Sequence, residues 1–546
     1  MKLYEALAKA VQREGVTTCF ALLGDANMHW AGAQAELGTG FVYTRHEHAA
    51  VAGAAAYARS SGQVGFASVT CGPGLTQITT ILPIAARARI PIVVLAGEAP
   101  LTKPWYNQGI DQAPFVEACG AIYRSFHNPE TAIAELHSAF AEAKEKRLPV
   151  VIGIPFDLQK QHYTGPLELP TSDDLFTEAA PEGPNADLIA QAARWITEAK
   201  RPVLMAGLGA VAASAKAACL ELAERSGALL ATTLPAKGYF RGEDYALGIA
   251  GGYASEGAKA IFKEVDLVIA VGSRLASHAF NGGKLTPNAR VIHMDINPQS
   301  YVQGREAADL LMKTDARLGA EALSTAVMPQ MGWRSDQMRA ATANAVKLPD
   351  DAETPDGFLH PMAVIKTLAD IIPPDCHIIS TSGHSAYYVA QMSQHPQEHF
   401  TVIRDFGAIG NGTSWALGIA AAHPDRPVVL IDGDGSALMH IQELETMARH
   451  NMHVLVIVLN DGAYGSEIHK LRADSITDEG AVFGRPDFAA IAQGFGFTGR
   501  TVTELSGLDQ DFTSFRDSKR PALWDLHISD QVASPQIMAA HKGSKA

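Results

Sequence analysis

Short runs of β-branched and apolar residues alternate with alanine-rich helical stretches along the sequence. In the first 157 residues these runs are FVYT at 41, VGFASVT at 64, IPIVVLAG at 90 and LPVVIGIP at 148. Such alternation is typical of parallel sheets, because parallel strands are joined by long crossovers that are usually helical and that cover both faces. The first part of the chain is therefore predicted to be a doubly wound α/β domain.

The same alternation returns twice further along the chain. It resumes with PVLMAGLG at 202 and DLVIAVGS at 266, and again with HIISTSG at 377, PVVLIDGDG at 427 and MHVLVIVLN at 452. A chain of 546 residues is too long for one core and has room for three or four domains. We predict an α/β protein with three doubly wound parallel-sheet domains, at residues 1–160, 185–330 and 357–535.

The charge balance and the cysteine pattern exclude several classes of protein. The net charge is −14, from 58 acidic and 44 basic residues without a long run of one sign, so nucleic acid is not an expected partner. The five cysteines lack CxxC spacing, which argues against zinc and for a reducing compartment. No apolar run approaches the roughly 20 residues of a membrane helix, and the N-terminal residues do not resemble a secretory signal. These features predict a cytoplasmic protein that does not engage a membrane.

The segment from residue 431 to residue 465 reads as a strand, a helix and a second strand. Asp434 follows the first strand and Asn460 ends the second. Because β-α-β crossovers are right-handed and their strands parallel, both residues are expected at the same edge of the sheet. Mg²⁺ prefers oxygen ligands, so Asp434, the amide oxygen of Asn460 and the carbonyl of Gly462 are the predicted metal ligands.

The residues beside Asp434 suit a bulky anion. Gly433 and Gly435 let the backbone approach a ligand closely, and the amides of Ser436 and Ala437, at the start of the helix, can bind phosphate oxygens. Gly-Asp-Gly by itself is also compatible with an ordinary tight turn. Together with the metal ligands, this segment predicts a site for a metal-bound diphosphate.

Four segments resemble the thiamine-diphosphate enzymes of the acetolactate synthase and pyruvate oxidase family. Gly-Asp-Gly is followed, after 24 residues, by Asn460, as in that family's cofactor motif. Residues 41–62 resemble its strand, Arg-His-Glu and small-residue helix, residues 68–80 its Gly-Pro-Gly turn, and residues 405–422 its Gly-Thr-Met-Gly segment. The resemblance spans nearly the whole chain and implies a pyrimidine-binding domain, a middle domain and a diphosphate-binding domain, in that order.

The resemblance also implies roles for individual residues. Glu47 would be the catalytic residue that hydrogen-bonds the aminopyrimidine ring, with the alternative that it merely complements a helix dipole. Ile409 would support the bent cofactor, or be an ordinary core residue. The other cofactor-binding residues implied are Gly24, Gly72, Pro73, Gln77, His384, Ser385, Gly407 and Tyr464. Candidates for substrate contact are His29, Gln112, Glu467 and His469.

The implied cofactors are thiamine diphosphate and Mg²⁺. The implied reaction is decarboxylation of a 2-keto acid such as pyruvate, followed by transfer of the acyl carbanion to a second carbonyl. A carbon–carbon lyase or hydrolase acting on an acyloin or a diketone would use the same residues, so both remain open. An alternative of another class is a catalytically inactive binding protein. The family pairs domains of two subunits around each cofactor, which implies a homodimer or homotetramer.

Three departures from the family's pattern leave the substrate and FAD open. The segment after Asn460 lacks the family's usual sequence, and in relatives this region closes over the substrate. Residues 381–386 read Thr-Ser-Gly-His-Ser-Ala where relatives have Asp-x-Gly-Gln-His-Gln, beside the expected diphosphate. In the middle domain, residues 272–274 and Asp295 resemble parts of the relatives' FAD site, which favours a bound flavin. Residues 251–254, however, read Gly-Gly-Tyr-Ala in place of Gly-Met-His-Gly, which argues against it.

Overall fold

The computed structural model describes residues 1–348 and 353–538. Within these ranges lie three six-stranded sheets, and all neighbouring strands in each of them are parallel. Helices lie between most of the consecutive strands in these sheets. The prediction of three doubly wound α/β domains is therefore confirmed, while the residue limits given to the domains stay a prediction.

The first domain is built on a sheet with the strand order β2-β1-β3-β4-β6-β5. Its strands are β1 (Thr18–Ala21), β2 (Gly40–Tyr43), β3 (Gly65–Val69), β4 (Ile92–Glu98), β5 (Ile122–Ser125) and β6 (Pro149–Pro155). Its helices are α1 (Leu3–Arg13), α2 (Met28–Glu36), α3 (Glu47–Ser61), α4 (Pro73–Thr76), α5 (Ile81–Ala88), α6 (Ala113–Ala118), α7 (Ala132–Lys146) and α8 (Phe156–Gln159). The central strands β3, β4 and β6 are buried almost throughout, which explains their nearly continuous apolar runs.

The middle domain follows a short helix, α9 (Ser172–Leu175), and has the strand order β14-β11-β10-β7-β8-β9. Its strands are β7 (Pro202–Ala206), β8 (Leu229–Thr232), β9 (Ala246–Ile249), β10 (Leu267–Val271), β11 (Arg290–Asp295) and β14 (Leu310–Lys313), with a separate hairpin of β12 (Tyr301–Val302) and β13 (Arg305–Glu306). Its helices are α10 (Ala186–Glu198), α11 (Leu208–Ala212), α12 (Lys216–Ser226), α13 (Glu256–Phe262), α14 (Ala316–Ala326) and α15 (Asp336–Ala345). Counted along the domain, this order is the one that dinucleotide-binding domains use.

The third domain repeats the topology of the first. Its strands are β15 (His377–Ser380), β16 (Phe400–Val402), β17 (Val428–Gly433), β18 (Val454–Asn460), β19 (Thr498–Val502) and β20 (Ala522–His527). Its helices are α16 (Pro361–Ile371), α17 (Ser385–Ala390), α18 (Gly412–Ala422), α19 (Asp434–Met439), α20 (Glu443–Arg449), α21 (Gly465–Ala473), α22 (Phe488–Gly494) and α23 (Leu508–Ser518). The order β16-β15-β17-β18-β20-β19 is the order of the first sheet when each is counted from its own first strand.

Helix α3 of the first domain packs closely against helix α18 of the third. Gly53 and Gly418 lie at the contact, and a Cβ on Gly418 would be 2.1 Å from the carbonyl oxygen of Gly53. Any side chain at position 418 would therefore push the two helices apart. The contact brings the start of α3, at Glu47, beside the third domain.

Two further expectations from the sequence concern covalent links and membranes. All five cysteines are free, in agreement with their scattered spacing. Within residues 1–348 and 353–538, none of the helices has the length and apolar character that a bilayer crossing requires.

Candidate active site

A cleft of about 480 Å³, measured to its open mouth, lies at the carboxyl edge of the third sheet. The ends of β15, β17 and β18 form its floor, and the helices that follow these strands form its walls. The lining includes Ser382, Gly383, His384, Ser385, Ile409, Gly433, Asp434, Gly435, Ser436, Leu459, Asp461, Ala463, Tyr464 and Glu467. In doubly wound sheets, ligands bind at this edge, where the loops after the strands meet.

Asp434 begins α19 and is buried in the cleft. One of its carboxylate oxygens accepts a hydrogen bond from the N–H of Gly462 at 2.7 Å, and the other accepts one from the N–H of Gly435 at 2.8 Å. These bonds hold the turn after β18 against the turn after β17. Asp434 therefore stands where the two loops converge.

Asp461, rather than Asn460, faces the cleft. Successive side chains of a strand point to opposite faces, and Leu459 and Asp461 line the cleft. On the other face, Nδ2 of Asn460 donates to the Asp525 carboxylate at 2.8 Å, and its buried Oδ1 has no hydrogen-bond partner among the described residues. The structure thus differs from the sequence expectation, because Asn460 is turned towards the body of the domain by the alternation of β18.

The backbone carbonyl also differs from the expected one, by one residue. The carbonyl of Gly462 accepts hydrogen bonds from the N–H groups of Phe483 and Gly484, each at 3.0 Å. Ala463 lines the cleft, and in the part of the chain that the structure describes its carbonyl accepts no hydrogen bond. The free carbonyl oxygen at this edge therefore belongs to Ala463, while Gly462 contributes its N–H to Asp434.

The electrostatics of the cleft suit a divalent cation. Burial and the neighbouring Asp461 raise the pKa of Asp434, and burial likewise raises the pKa of Asp461. A hard cation with oxygen ligands would keep both carboxylates ionised. Across residues 1–348 and 353–538, no three His, Cys, Asp or Glu side chains form a metal-binding group, so the remaining ligands would come from backbone, phosphate or water.

A hydrogen-bonded network joins the turn at Gly433–Gly435 to the loop at 407–410. Ser436 donates to the Asp432 carboxylate at 2.9 Å and accepts from the N–H of Gly410 at 2.9 Å. Asp432 is buried and also accepts from the Thr381 hydroxyl at 2.5 Å, and burial raises its pKa to about 6. Asp432 was not among the residues predicted from the sequence, although an aspartate at the end of an apolar strand was a visible signal.

His384 and Ser385 form the wall at the start of α17. Nε2 of His384 accepts from the N–H of Ser534 at 3.0 Å, which leaves the proton on Nδ1, 3.9 Å from the Asp461 carboxylate. Burial lowers the pKa of His384 to about 4. The buried ring of His469 lies 4.6 Å from that of His384, and its Nε2 has no hydrogen-bond partner among the described residues.

The mouth of the cleft carries an apolar side chain, an aromatic ring and a carboxylate. Ile409 lines the cleft, Gly407 two residues earlier is exposed, and the ring of Tyr464 packs on Phe483 with 5.2 Å between the ring centroids. A Cβ on Gly435 would lie 2.6 Å from the Tyr464 ring, so only glycine allows this packing. Glu467 is exposed and pairs with Lys470 at 3.3 Å.

A second group of candidate residues lies at the carboxyl edge of the first sheet. Gly24 follows β1, Glu47 follows β2, and Gly72, Pro73 and Gln77 follow β3. Glu47 is half-buried, and burial raises its pKa. A Cβ on Gly74 would lie 3.5 Å from the Glu47 carboxylate, so the turn that begins α4 lies directly beside Glu47. None of these residues lines the cleft of the same chain.

Two substrate candidates make contacts within the first domain instead. The amide of Gln112 is buried, donates to the carbonyl of Gly97 at 3.0 Å and to the Tyr123 hydroxyl at 2.9 Å, and accepts from the N–H of Gly72 at 2.9 Å. His29 is half-buried with its ring 5.8 Å from that of Tyr4. The burial of Gln112 is thus explained by the turn that it supports.

Three domain families match the chain in succession. The N-terminal TPP binding domain of thiamine pyrophosphate enzymes matches residues 1–114, the central domain matches residues 189–323, and the C-terminal TPP binding domain matches residues 381–526. They correspond in order to the three parallel-sheet domains, and the cleft lies within the C-terminal one. The fold and these matches define the class: the protein is a thiamine pyrophosphate enzyme.

Relatives of similar length narrow that class. The acetolactate synthase large subunit of Parasynechococcus marenigrum (strain WH8102) is 31% identical over 96% of this chain and 87% of its own. The acetolactate synthase isozyme 2 large subunit of Escherichia coli (strain K12) is 29% identical, with coverage of 95% and 94%. A probable acetolactate synthase large subunit of Methanocaldococcus jannaschii is 27% identical, with coverage of 98% and 93%. The chain belongs to the acetolactate synthase-like family of thiamine pyrophosphate enzymes.

Proposed function

We propose that this enzyme uses Mg²⁺ and thiamine diphosphate to decarboxylate a 2-keto acid such as pyruvate and to transfer the acyl group to a second carbonyl. The observation that carries the proposal is the pair of buried carboxylates, Asp434 and Asp461, in one cleft with the free carbonyl of Ala463. The similarity to acetolactate synthase large subunits supports the choice of reaction.

Asp434, Asp461 and the carbonyl of Ala463 would hold Mg²⁺. All three present oxygen to the same cleft, and Mg²⁺ completes its coordination with water and phosphate oxygens. The diphosphate would lie against the backbone N–H of Ser436, in the first turn of α19, and against Nδ1–H of His384. Ser385, Gly433, Gly435 and Ala437 would complete the surface around it.

Glu47 would act on the other end of the cofactor. Bound thiamine diphosphate would supply a thiazolium carbon that, once deprotonated, adds to a substrate carbonyl. Glu47 would share a proton with a ring nitrogen of the aminopyrimidine. The raised pKa of Glu47 suits this role, because a carboxyl that holds its proton closer to neutral pH transfers it more readily.

A second copy of the chain would complete the site, giving a homodimer or homotetramer. Glu47 and Asp434 lie at the edges of different sheets, and Glu47 does not line the cleft of its own chain. Exposed apolar side chains occupy loops and helix ends in both domains, which favours their burial in a subunit interface. They are Leu23, Met28, Leu101, Trp105 and Ile110 in the first domain, and Phe406, Met439 and Phe483 in the third.

The carboxylate at the mouth favours a second candidate reaction, cleavage of an acyloin or a diketone. Glu467 is exposed beside Tyr464, and a negative charge there disfavours a substrate that carries its own carboxylate. A neutral acyloin or diketone would meet no such repulsion. The partner of Glu467, Lys470, offsets part of the charge, which keeps a keto acid compatible with the site.

A substrate panel tests the proposal. The full-length protein with thiamine diphosphate and Mg²⁺ would be incubated with keto acids, alone and in pairs, and separately with acyloins and cyclic diketones. Carbon dioxide release and carbon-13 NMR of the products identify the reaction, with Asp434→Ala as the control that lacks the metal ligand. We expect decarboxylation and ligation of a keto acid; turnover of neutral diketones alone would establish the cleavage reaction instead.

The proposal also covers flavin binding by the middle domain and the cellular compartment of the protein. The strand order of the middle domain suits a dinucleotide, but the buried Tyr253 packs between Arg404, 4.6 Å away, and Tyr387. We propose that FAD is not held there in stoichiometric amount. The five free cysteines support a reducing compartment such as the cytoplasm.

A further inference from the structure

The turn before α3, which leads into Glu47, is held by a buried carboxylate from the third domain. Glu443, at the start of α20, is fully buried, and its two carboxylate oxygens accept from the N–H of Arg45 at 3.0 and 3.3 Å. The hydroxyl of Thr446 donates to the same carboxylate at 2.7 Å. Glu443 thus reaches the backbone two residues before Glu47, although the two residues are far apart in the sequence.

The burial of Glu443 would be costly without these bonds. Burial raises its pKa to about 7, against the opposing effects of the Thr446 hydroxyl and of the backbone N–H groups of Arg45 and His46. A buried ionisable group is tolerated when its hydrogen bonds are satisfied. The partners of Glu443 include backbone N–H groups of the first domain, so its carboxylate fixes that backbone.

A second buried bond joins the residue after Glu47 to Asn411, which follows the loop at 407–410 of the third domain. Nε2 of His48, the residue after Glu47, lies 2.7 Å from Oδ1 of Asn411, and both side chains are buried. Asn411 directly follows Gly410, which ends the loop that carries Ile409. The third domain therefore contacts residues on both sides of Glu47, through the backbone of Arg45 and the side chain of His48.

Helix α20 also makes contacts with this turn that are exposed to solvent, unlike the buried contact of Glu443. Glu445 forms an ion pair with the Arg45 side chain at 2.5 Å, and Arg449 donates to the carbonyl of Tyr43. The Arg45 side chain is 50% exposed, and exposed pairs of this kind contribute little to stability. Glu445 therefore touches the same turn without fixing the backbone beside Glu47.

We propose that Glu443 is a positioning residue that fixes the start of α3 so that Glu47 meets the cofactor at the correct distance. This inference rests on the catalytic role proposed for Glu47. A displacement of about 1 Å is enough to lower a rate by a factor of about 100. Glu443 would therefore affect the reaction without touching cofactor or substrate.

The test compares Glu443→Gln with the matched control Glu445→Gln in the full-length protein. The amide of glutamine keeps one acceptor oxygen but turns an NH₂ group towards a backbone N–H, which weakens the hold on Arg45. In the cofactor-free protein, we expect amide hydrogen exchange in a peptide covering residues 43–50 to accelerate about tenfold for Glu443→Gln and to stay unchanged for Glu445→Gln.

The second measurement is exchange of the thiazolium proton of bound thiamine diphosphate for deuterium, followed by NMR after acid quench. We expect this exchange to slow about tenfold or more in Glu443→Gln, with cofactor affinity within about threefold of the wild type. Thr446→Val, which removes one donor and keeps the side-chain shape, should give an intermediate effect. If Glu443→Gln does not fold, Thr446→Val alone tests the positioning role of Glu443.

Glu47→Gln, measured in parallel, separates failure of this inference from failure of the proposed function. If Glu47→Gln slows proton exchange but neither Glu443→Gln nor Thr446→Val does, the positioning role is wrong and the catalytic role of Glu47 stands. If Glu47→Gln exchanges at the wild-type rate, the catalytic role falls and the positioning role falls with it.

Discussion

Separate alanine substitutions of the adjacent residues Asp461 and Asn460 should have opposite consequences. Asp461→Ala removes a proposed Mg²⁺ ligand, and we expect the affinity for thiamine diphosphate in the presence of Mg²⁺ to fall about a hundredfold. That factor corresponds to about 3 kcal/mol, since each tenfold is about 1.4 kcal/mol. The cofactor-free protein should be no less stable, because Asp461 adds to the burial cost of Asp434 by raising its pKa.

Asn460→Ala should instead destabilise the fold. Its amide donates to Asp525, a fully buried carboxylate, and hydrogen bonds to charged groups contribute about 1.5–3 kcal/mol each. We therefore expect the free energy of unfolding to fall by about 2 kcal/mol. Once folded, the variant should bind Mg²⁺ and thiamine diphosphate with nearly wild-type affinity, since Asn460 is turned away from the cleft.

Isothermal calorimetry of cofactor binding across a Mg²⁺ titration, together with urea unfolding without cofactor, measures both effects. Asp461→Asn is the intermediate variant, because a neutral amide oxygen still coordinates Mg²⁺ and should cost about tenfold in affinity. The reasoning from strand alternation is refuted if Asn460→Ala loses Mg²⁺-dependent binding while Asp461→Ala retains it.

Four further predictions follow from the same structure. Light scattering should give a mass of at least two 58.0 kDa chains, and an active monomer would contradict the shared site. Glu47→Gln should lower turnover by about two orders of magnitude or more while changing stability by only a few tenths of a kcal/mol; intact turnover would leave Glu47 as a helix-dipole residue. Burial, with the charges of His399, His423 and Arg426, lowers the pKa of His377 to about 3. Between pH 6.5 and that value His377 binds a proton in the unfolded state but not in the folded state, so the wild type loses stability as the pH falls below 6.5. Relative to the wild type, His377→Leu should therefore gain about 1.4 kcal/mol per pH unit over that range in urea unfolding, and a difference independent of pH would contradict this. The purified protein should carry well under about one equivalent of flavin, because Tyr253 is buried where the relatives' Gly-Met-His-Gly segment stands; flavin absorbance near one equivalent per chain would show otherwise.

The three α/β domains and the segment that carries the candidate cleft can be read from the sequence alone. Strands covered by helices on both faces must be apolar along their length, so β4 and β18 are visible as continuous runs. The Gly433–Gly435 turn is equally local, because it combines glycine, aspartate and the start of a helix within a few residues. Such features depend on near neighbours in the chain, which is why they are readable without the fold.

Which of two adjacent oxygen donors lines the cleft depends on how the strands pair in the folded domain. Asn460 ends an apolar strand and Asp461 directly follows it, and a shift of one residue would exchange the faces on which they lie. The pairing of β18 with β17 and β20 places Asn460 against Asp525, on the face of the sheet away from the cleft. Asp461 is therefore on the same side as Asp434. The sequence shows both residues but does not show which of them faces the cleft.

Contacts between segments that are distant in the sequence likewise could not be predicted before the fold was known. Gln112 looks like a surface polar residue in the sequence, yet the fold closes around its amide. Glu443 stands in an amphipathic helix, and its partner Arg45 is 398 residues away. Hydrogen bonds of this kind arise when two separately folded domains dock, so their residues have no common local pattern from which the pairing could be inferred.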